Sequence, residues 1–193
     1  MTNQNQEIIS YFKKLDRGFF MDDHKEFAYM DEAVPIGHEQ TISQPSLVLK
    51  MTLAINLQAH SKVLEIGTGS GFQTALLAAF SNSVYTIERI EALHERAKER
   101  LKEAGFVNIH FKLSDGSTGW EEHAPYDRIM VTAAAAQIPQ ELIDQLATGG
   151  KMIIPVGTPF LQELLLLEKD EAGEFHTEVL DDVRFVPLKG KYE

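Results

Sequence analysis

Residues 63–71, VLEIGTGSG, decide the fold. Val63, Leu64 and Ile66 make a strand-forming run that ends in three alternating glycines, and residues 72–77 (FQTALL) then read as the start of a helix. Strand, tight turn and helix start together form the βα unit that binds nucleotides in doubly wound sheets. Glycine suits such a turn because, lacking Cβ, it reaches positive φ and lets a ligand lie against bare backbone.

Outward from this unit toward the C-terminus, strand and helix patterns alternate. Residues 83–88 (SVYTIE) read as a second strand. Ile90, Leu93, Ala97, Leu101 and Ala104 form one face of a following helix whose other face is charged, and Gly105 closes it. Strands are expected at 109–113, 128–132 and 151–156, with a helix over 138–147 that carries Pro139 in its first turn. Two last strand-like runs, 162–169 and 175–188, are joined by DEAG and predict an antiparallel hairpin. Regular alternation implies right-handed crossovers, so the expected fold is an α/β, doubly wound, mainly parallel seven-stranded sheet with a C-terminal hairpin.

Toward the N-terminus, Ile8, Ile9, Phe12 and Leu15 lie at helical spacing over residues 6–15. The next twenty or so residues lack a period, and their aromatics (Phe19, Phe20, Phe27, Tyr29) together with Met30 predict an irregular segment anchored on the core. GHEQTISQP (37–45) then leads into an apolar helical run with Leu47, Val48, Met51, Ile55 and Leu57. Ser43 or Gln44 sits where an N-cap belongs, and Pro45 suits the first turn.

At 193 residues and 44% hydrophobic content the chain supports one good core. It is read as a single domain, 1–193, with an N-terminal helical, substrate-side segment (1–60), a cofactor-binding βα core (61–157) and the C-terminal hairpin (158–193). The first twenty residues hold no continuous apolar stretch of an export signal, and no run is long enough to span a bilayer. A cytoplasmic monomer without membrane attachment is expected. With no cysteine, thiolate catalysis and cysteine-based zinc sites are excluded. A net charge of -11 without a basic stripe argues against a nucleic-acid partner. The acidic and histidine clusters at Asp22, Asp23 and His24 and at Glu121, Glu122 and His123 read as solvated loops, so no metal is expected.

The glycine turn is selective about its ligand. A dinucleotide site wants GxGxxG, but Phe72 stands where the third glycine belongs. A phosphate loop needs Lys-Ser/Thr, and Gln73-Thr74 does not supply it. What fits is Glu65 in the strand, the GxGxG turn, and a second acid, Glu88, roughly 20 residues on, where a ribose diol is held. Asp115-Gly116, after the third strand, is placed to meet a base. The set suits a cationic nucleoside such as S-adenosylmethionine.

Missing chemistry restricts the methyl acceptor. Carbon-5 pyrimidine methylation requires a cysteine, and exocyclic amino methylation uses an Asn/Asp-Pro-Pro-aromatic turn where this chain has Thr132 followed by four alanines. An acceptor that is already anionic, such as a carboxylate, needs no general base. Ser43 at a helix start can dock such an anion, or it can simply cap its own helix; spacing alone leaves both open.

These segments resemble the protein-L-isoaspartate O-methyltransferase family. The likeness runs in order through GHEQTISQP (37–45), VLEIGTGSG (63–71), VYTIER (84–89), SDG (114–116), APYDRIMVTAAAAQIP (124–139), LATGGKMIIPVG (146–157) and VRFVPL (183–188). VLEIGTGSG is common to many methyltransferases, whereas QTIS and VRFVPL are specific. The resemblance implies a Rossmann-like class I methyltransferase that uses S-adenosylmethionine, with S-adenosylhomocysteine as product. Its acceptor would be the α-carboxyl of L-isoaspartyl residues in damaged proteins, whose ester collapses to a succinimide that reopens as aspartate. It implies that Ser43 is the active-site serine and that Gln40, Thr41 and Ile42 line the same pocket. Glu65, Gly67, Gly69 and Gly71 would face the cofactor, Glu88 its ribose and Asp115-Gly116 its adenine. Thr41 and Val186 would meet substrate, the VRFVPL strand pairing with the substrate main chain.

Three positions depart from the family pattern: His38-Glu39 before QTIS, Ser114 in place of glycine, and Lys189 soon before the chain end. Arg17, Arg184 and Lys189 are candidate counter-charges for a carboxylate substrate. A methyltransferase for another carboxylate or hydroxyl acceptor, and a non-catalytic module that binds the cofactor, are the alternatives.

Overall fold

Residues 62–66 form an inner strand of a seven-stranded sheet. The structure, a computed structural model, describes residues 3–191. In chain order its elements are α1 (Asn3–Phe12), β1 (Val34–Gly37), β2 (Gln40–Ile42), α2 (Pro45–Ala54), β3 (Lys62–Ile66), α3 (Phe72–Ala79), β4 (Ser83–Glu88), α4 (Glu91–Glu103), β5 (Ile109–Leu113), β6 (Tyr126–Val131), α5 (Gln140–Asp144), β7 (Leu146–Gly157), β8 (Gln162–Lys169) and β9 (Phe175–Val183). The large sheet runs β5-β4-β3-β6-β7-β8-β9, parallel through β7 and antiparallel for the last two. Strand order reverses between β3 and β6. That is the topological switch point, where open α/β sheets bind ligands outside the carboxyl ends of their strands.

The central strands are buried on both faces, as covering helices demand. Val63, Leu64, Ile66, Ile129, Met130 and Val131 are at most 1% exposed. One layer joins Leu64, Ile66 and Ile129 to Leu142, Leu146 and Met152; another joins Val63, Met130 and Ile153 to Met51 and Ile55 of the α2 segment. The N-terminal segment closes the third cluster through Phe20 and Met21 against Phe72 and Leu76.

Several expectations are corrected. The expected helix over 138–147 is only Gln140–Asp144, because Leu146 already pairs with Tyr126 in the sheet. The expected strand over 151–156 correspondingly lengthens to Leu146–Gly157, with a register irregularity before Lys151. In the irregular N-terminal segment Phe20 is an anchor, but Tyr29 is 88% exposed and anchors nothing. β1 and β2 form a small hairpin that no periodicity announced, turning through His38 and Glu39 at φ 54° and 60°. Both residues, a departure from the family pattern, are therefore turn-formers. Ser114 is not among the positive-φ residues, so serine is accommodated where the family has glycine.

Candidate active site

At the switch point the glycine turn opens a cavity of about 760 Å3, counted to its open mouth. Five stretches of the chain wall it: Gln40 to Ser43, Gly67 to Ser70, Glu88 and Arg89 at the end of β4, Thr132 and Ala133, and Val186 to Lys189. Gly116 adds to the wall after β5.

Backbone bonding shapes the turn. The Gly67 N–H donates to the Ile87 carbonyl (2.8 Å), while the Thr132 hydroxyl donates to the carbonyls of Ile66 (2.9 Å) and Gly67 (2.7 Å). Gly67 takes φ +92°, and a Cβ there would run into the Thr132 hydroxyl. Gly71 plays another part: it lies outside the cavity, and a Cβ on it would stand 3.1 Å from Leu101, so its bareness serves the approach of α4.

Glu88 presents its carboxylate to the cavity. Oε2 accepts from the Gly69 N–H, and Oε1 from the N–H groups of Arg89 and Ile90, each at 2.9 Å. Three backbone donors hold the group rigidly, and Oε2 keeps a lone pair that can accept from one further donor such as a hydroxyl.

Glu65 lies behind the turn instead. It is fully buried and absent from the cavity wall; its Oε2 accepts from the Thr74 and Thr86 hydroxyls at 2.6 Å each. Burial pushes its carboxyl up to about 8; the two hydroxyl bonds oppose the shift, and nearby Glu88 adds to it. Asp115 also turns from the cavity, accepting from the N–H groups of Ser117 (2.8 Å) and Lys191 (3.2 Å), and lines a neighbouring groove with Arg89 and Gly190. Of the residues expected at the cofactor, Gln40, Thr41, Ile42, Gly67, Gly69, Glu88 and Gly116 share the cavity; Glu65, Gly71 and Asp115 support it from outside.

Ser43 lines this cavity and a second, adjoining one that it shares with Thr41 and Val186. It does not cap its helix. Gln44 holds the N-cap position, and the Asp31 carboxylate takes the Ser46 N–H (2.8 Å) and the Gln44 amide (3.0 Å). The Ser43 hydroxyl thus stays available at the junction of two cavities. Asp31 thus already takes one of the donors of this helix start, the Ser46 N–H.

VRFVPL is laid across the sheet end. The Val186 carbonyl accepts from the Ala134 N–H and the Leu188 N–H donates to the Ala134 carbonyl, both at 2.8 Å. Gln162, only 4% exposed, clasps Phe185 by accepting from its N–H (2.6 Å) and donating to its carbonyl (3.1 Å). Sequence reasoning missed Gln162, Asp31 and Thr132; each bonds a backbone group far away along the chain, and only Gln162's isolation among leucines was a signal.

Of the three proposed counter-charges, Lys189 lines the first cavity and Arg184 the second. Arg17 lines neither: it is 3% exposed and turned into the protein. Glu88, Arg89 and Lys189 are the titratable residues of the first cavity's described wall, which holds no histidine.

A doubly wound sheet, a GxGxG turn beneath a cavity and an acid at the end of the second parallel strand define a class I methyltransferase of the S-adenosylmethionine-dependent type. Comparison with known proteins narrows this. The family model for protein-L-isoaspartate(D-aspartate) O-methyltransferase (PCMT) matches residues 1–193, and the chain belongs to that family. It is 51% identical over 190 residues to a protein-L-isoaspartate O-methyltransferase of Dictyoglomus turgidum, covering 98% of this chain and 86% of that one. Against protein-L-isoaspartate O-methyltransferase 2 of Syntrophobacter fumaroxidans it is 54% identical over 167 residues, 86% of this chain and 68% of the other. Among solved structures, a Plasmodium falciparum protein assigned to the same activity, crystallised with S-adenosyl-L-homocysteine, superposes with a TM-score of 0.82 at 28% identity, covering 98% and 92% of the two chains.

Proposed function

We propose that this enzyme transfers the methyl group of S-adenosylmethionine to the α-carboxyl of L-isoaspartyl residues in proteins and peptides. The observation that carries the proposal is the junction at Ser43: the cleft over the glycine turn meets a second cavity at a serine hydroxyl, with no histidine or cysteine base in the wall. Family membership and the S-adenosylhomocysteine complex of the Plasmodium relative support the same cofactor here.

Glu88 suits the ribose diol, and the bare backbone at Gly67 and Gly69 leaves room for the amino-acid end. When bound, the cofactor supplies a methyl group activated by its sulfonium. The chain's task is alignment. A carboxylate oxygen attacks the methyl carbon, the carbon–sulfur bond breaks with its electron pair going to sulfur, and a neutral thioether and a methyl ester result; no proton has to move. Ser43 can donate to one carboxylate oxygen and leave the other in line. Thr41 and Val186, which border both cavities, are placed to hold the substrate main chain.

The wall draws on residues from 1–60, 61–157 and 158–193 together, which supports reading the chain as one domain. A monomeric state and a cytoplasmic location complete the proposal, and light scattering and cell fractionation check them. No helix among the described residues is long and apolar enough to cross a membrane. The decisive experiment is methyl ester formation on an isoaspartyl peptide against its aspartyl twin. Labelling of the first alone is expected, and equal labelling of both would refute the specificity.

A further inference from the structure

Arg17 is a buried cation held almost wholly by main-chain oxygens. Its Nη1 donates to the carbonyls of Phe27 (3.2 Å), Ala28 (3.2 Å) and Met30 (3.4 Å), and its Nη2 to those of Glu32 (2.8 Å), Ile42 (3.4 Å) and Ser43 (3.1 Å). No carboxylate lies within ion-pair distance of it among the described residues, and Nε has no partner. Burial opposes its charge, and the nearby carboxylates of Asp31 and Glu32, beyond ion-pair distance, offset that only in part. The last two carbonyls belong to residues of the cavity wall: Ile42 lines the first cavity, and Ser43 lines both.

Peptide geometry shows what those two bonds do. In a trans peptide the N–H points opposite to the carbonyl. Among the described residues all peptides are trans apart from Ala124–Pro125. Drawing the Ile42 and Ser43 carbonyls inward to Arg17 therefore turns the N–H groups of Ser43 and Gln44 outward, and neither is bonded to anything else among the described residues. The guanidinium also polarises both peptide units and strengthens their donors. The N-terminal end of α2 cannot provide this positive field unaided, since Asp31 already occupies the Ser46 N–H.

We propose that Arg17 is the positioning residue of the acceptor site: it sets the Ser43 hydroxyl and the Ser43 and Gln44 N–H groups toward the substrate carboxylate and places a full positive charge behind them. This rests on the isoaspartyl-carboxylate reading above. It also explains how an enzyme of net charge -11 receives an anionic acceptor.

The test uses the full chain with Arg17→Met, which removes charge and fork, and Arg17→Lys, which keeps charge but loses the planar fork. For Arg17→Met, KM for the isoaspartyl peptide should rise about tenfold while the dissociation constant for S-adenosylhomocysteine stays within about twofold. Arg17→Lys should recover part of the loss. Amide hydrogen exchange should quicken over residues 38–46 in both variants and stay unchanged over 62–88. If Arg17→Met fails to fold, Arg17→Lys carries the same readings. Unchanged KM in a folded variant overturns the proposal, as does a loss of cofactor affinity in proportion to the loss of turnover. Wild-type enzyme inactive on the isoaspartyl peptide would instead overturn the substrate reading, and this inference with it.

Discussion

Replacing Glu65 by glutamine should flatten the pH dependence of this protein's stability. The carboxyl is fully buried beneath the glycine turn; Oε2 receives two hydroxyl bonds and Oε1 none. Its pKa stands at about 8 in the folded protein against 4.5 ordinarily. Between those values the native state keeps a proton that the unfolded chain has lost, so raising the pH favours unfolding. The stabilising contribution is complete below about 4.5 and declines until the pH passes about 8. Each pH unit in that window is worth about 1.4 kcal/mol, and the whole window at most about 5 kcal/mol, a large share of a typical domain's stability. Glutamine cannot titrate, although it leaves an amide without an acceptor where Oε1 was, at a cost independent of pH. Chemical denaturation of both proteins at intervals from pH 5 to 8.5 measures the difference, in which titrating groups not coupled to Glu65 cancel. The gap between wild type and variant should narrow steadily as pH rises. Parallel curves would refute the reasoning and mean that Glu65 is already ionised in the native protein.

Ser43→Ala should lower turnover on the isoaspartyl peptide about tenfold, the value of one hydrogen bond to a charged group, with S-adenosylhomocysteine affinity unchanged; an equal fall in both would make Ser43 structural. Gly116→Ala would set a Cβ 2.5 Å from Ile66 Cγ2, at the cavity wall. Calorimetry should show a destabilisation of about 1–3 kcal/mol and weaker cofactor binding, and an unaltered protein would mean that the wall yields freely. Gln162→Ala leaves the Phe185 N–H and carbonyl without their clasp. Its KM for peptide should rise with cofactor affinity intact, whereas an unchanged KM would detach VRFVPL from substrate binding.

Much of the fold was legible because its signals are local. Strand β4 at Ser83–Glu88 and strand β8 at Gln162–Lys169 have the bounds that alternation predicts, and α4 lies within its charged-and-apolar repeat. The errors occur where a non-local bond competes with a local pattern. Leu146 continues a helical period, but its pairing with Tyr126 draws it into the sheet and shortens α5. The β1–β2 hairpin has strands of four and three residues, too short for any period to show.

The sequence by itself determined the doubly wound class, the nature of the glycine turn and the exclusion of cysteine and dinucleotide chemistry, since each depends on residue type and spacing over a few positions. Tertiary structure decided which expected residues share the cavity. Glu65 and Asp115 sit at motif positions, yet their side chains turn to Thr74 and Thr86 and to Ser117 and Lys191. Arg17 looks like a surface charge in sequence and is instead held by six carbonyls, the farthest 26 residues on. A side chain's role follows from the partner that satisfies it once water is removed, and that partner is known only when the chain has folded.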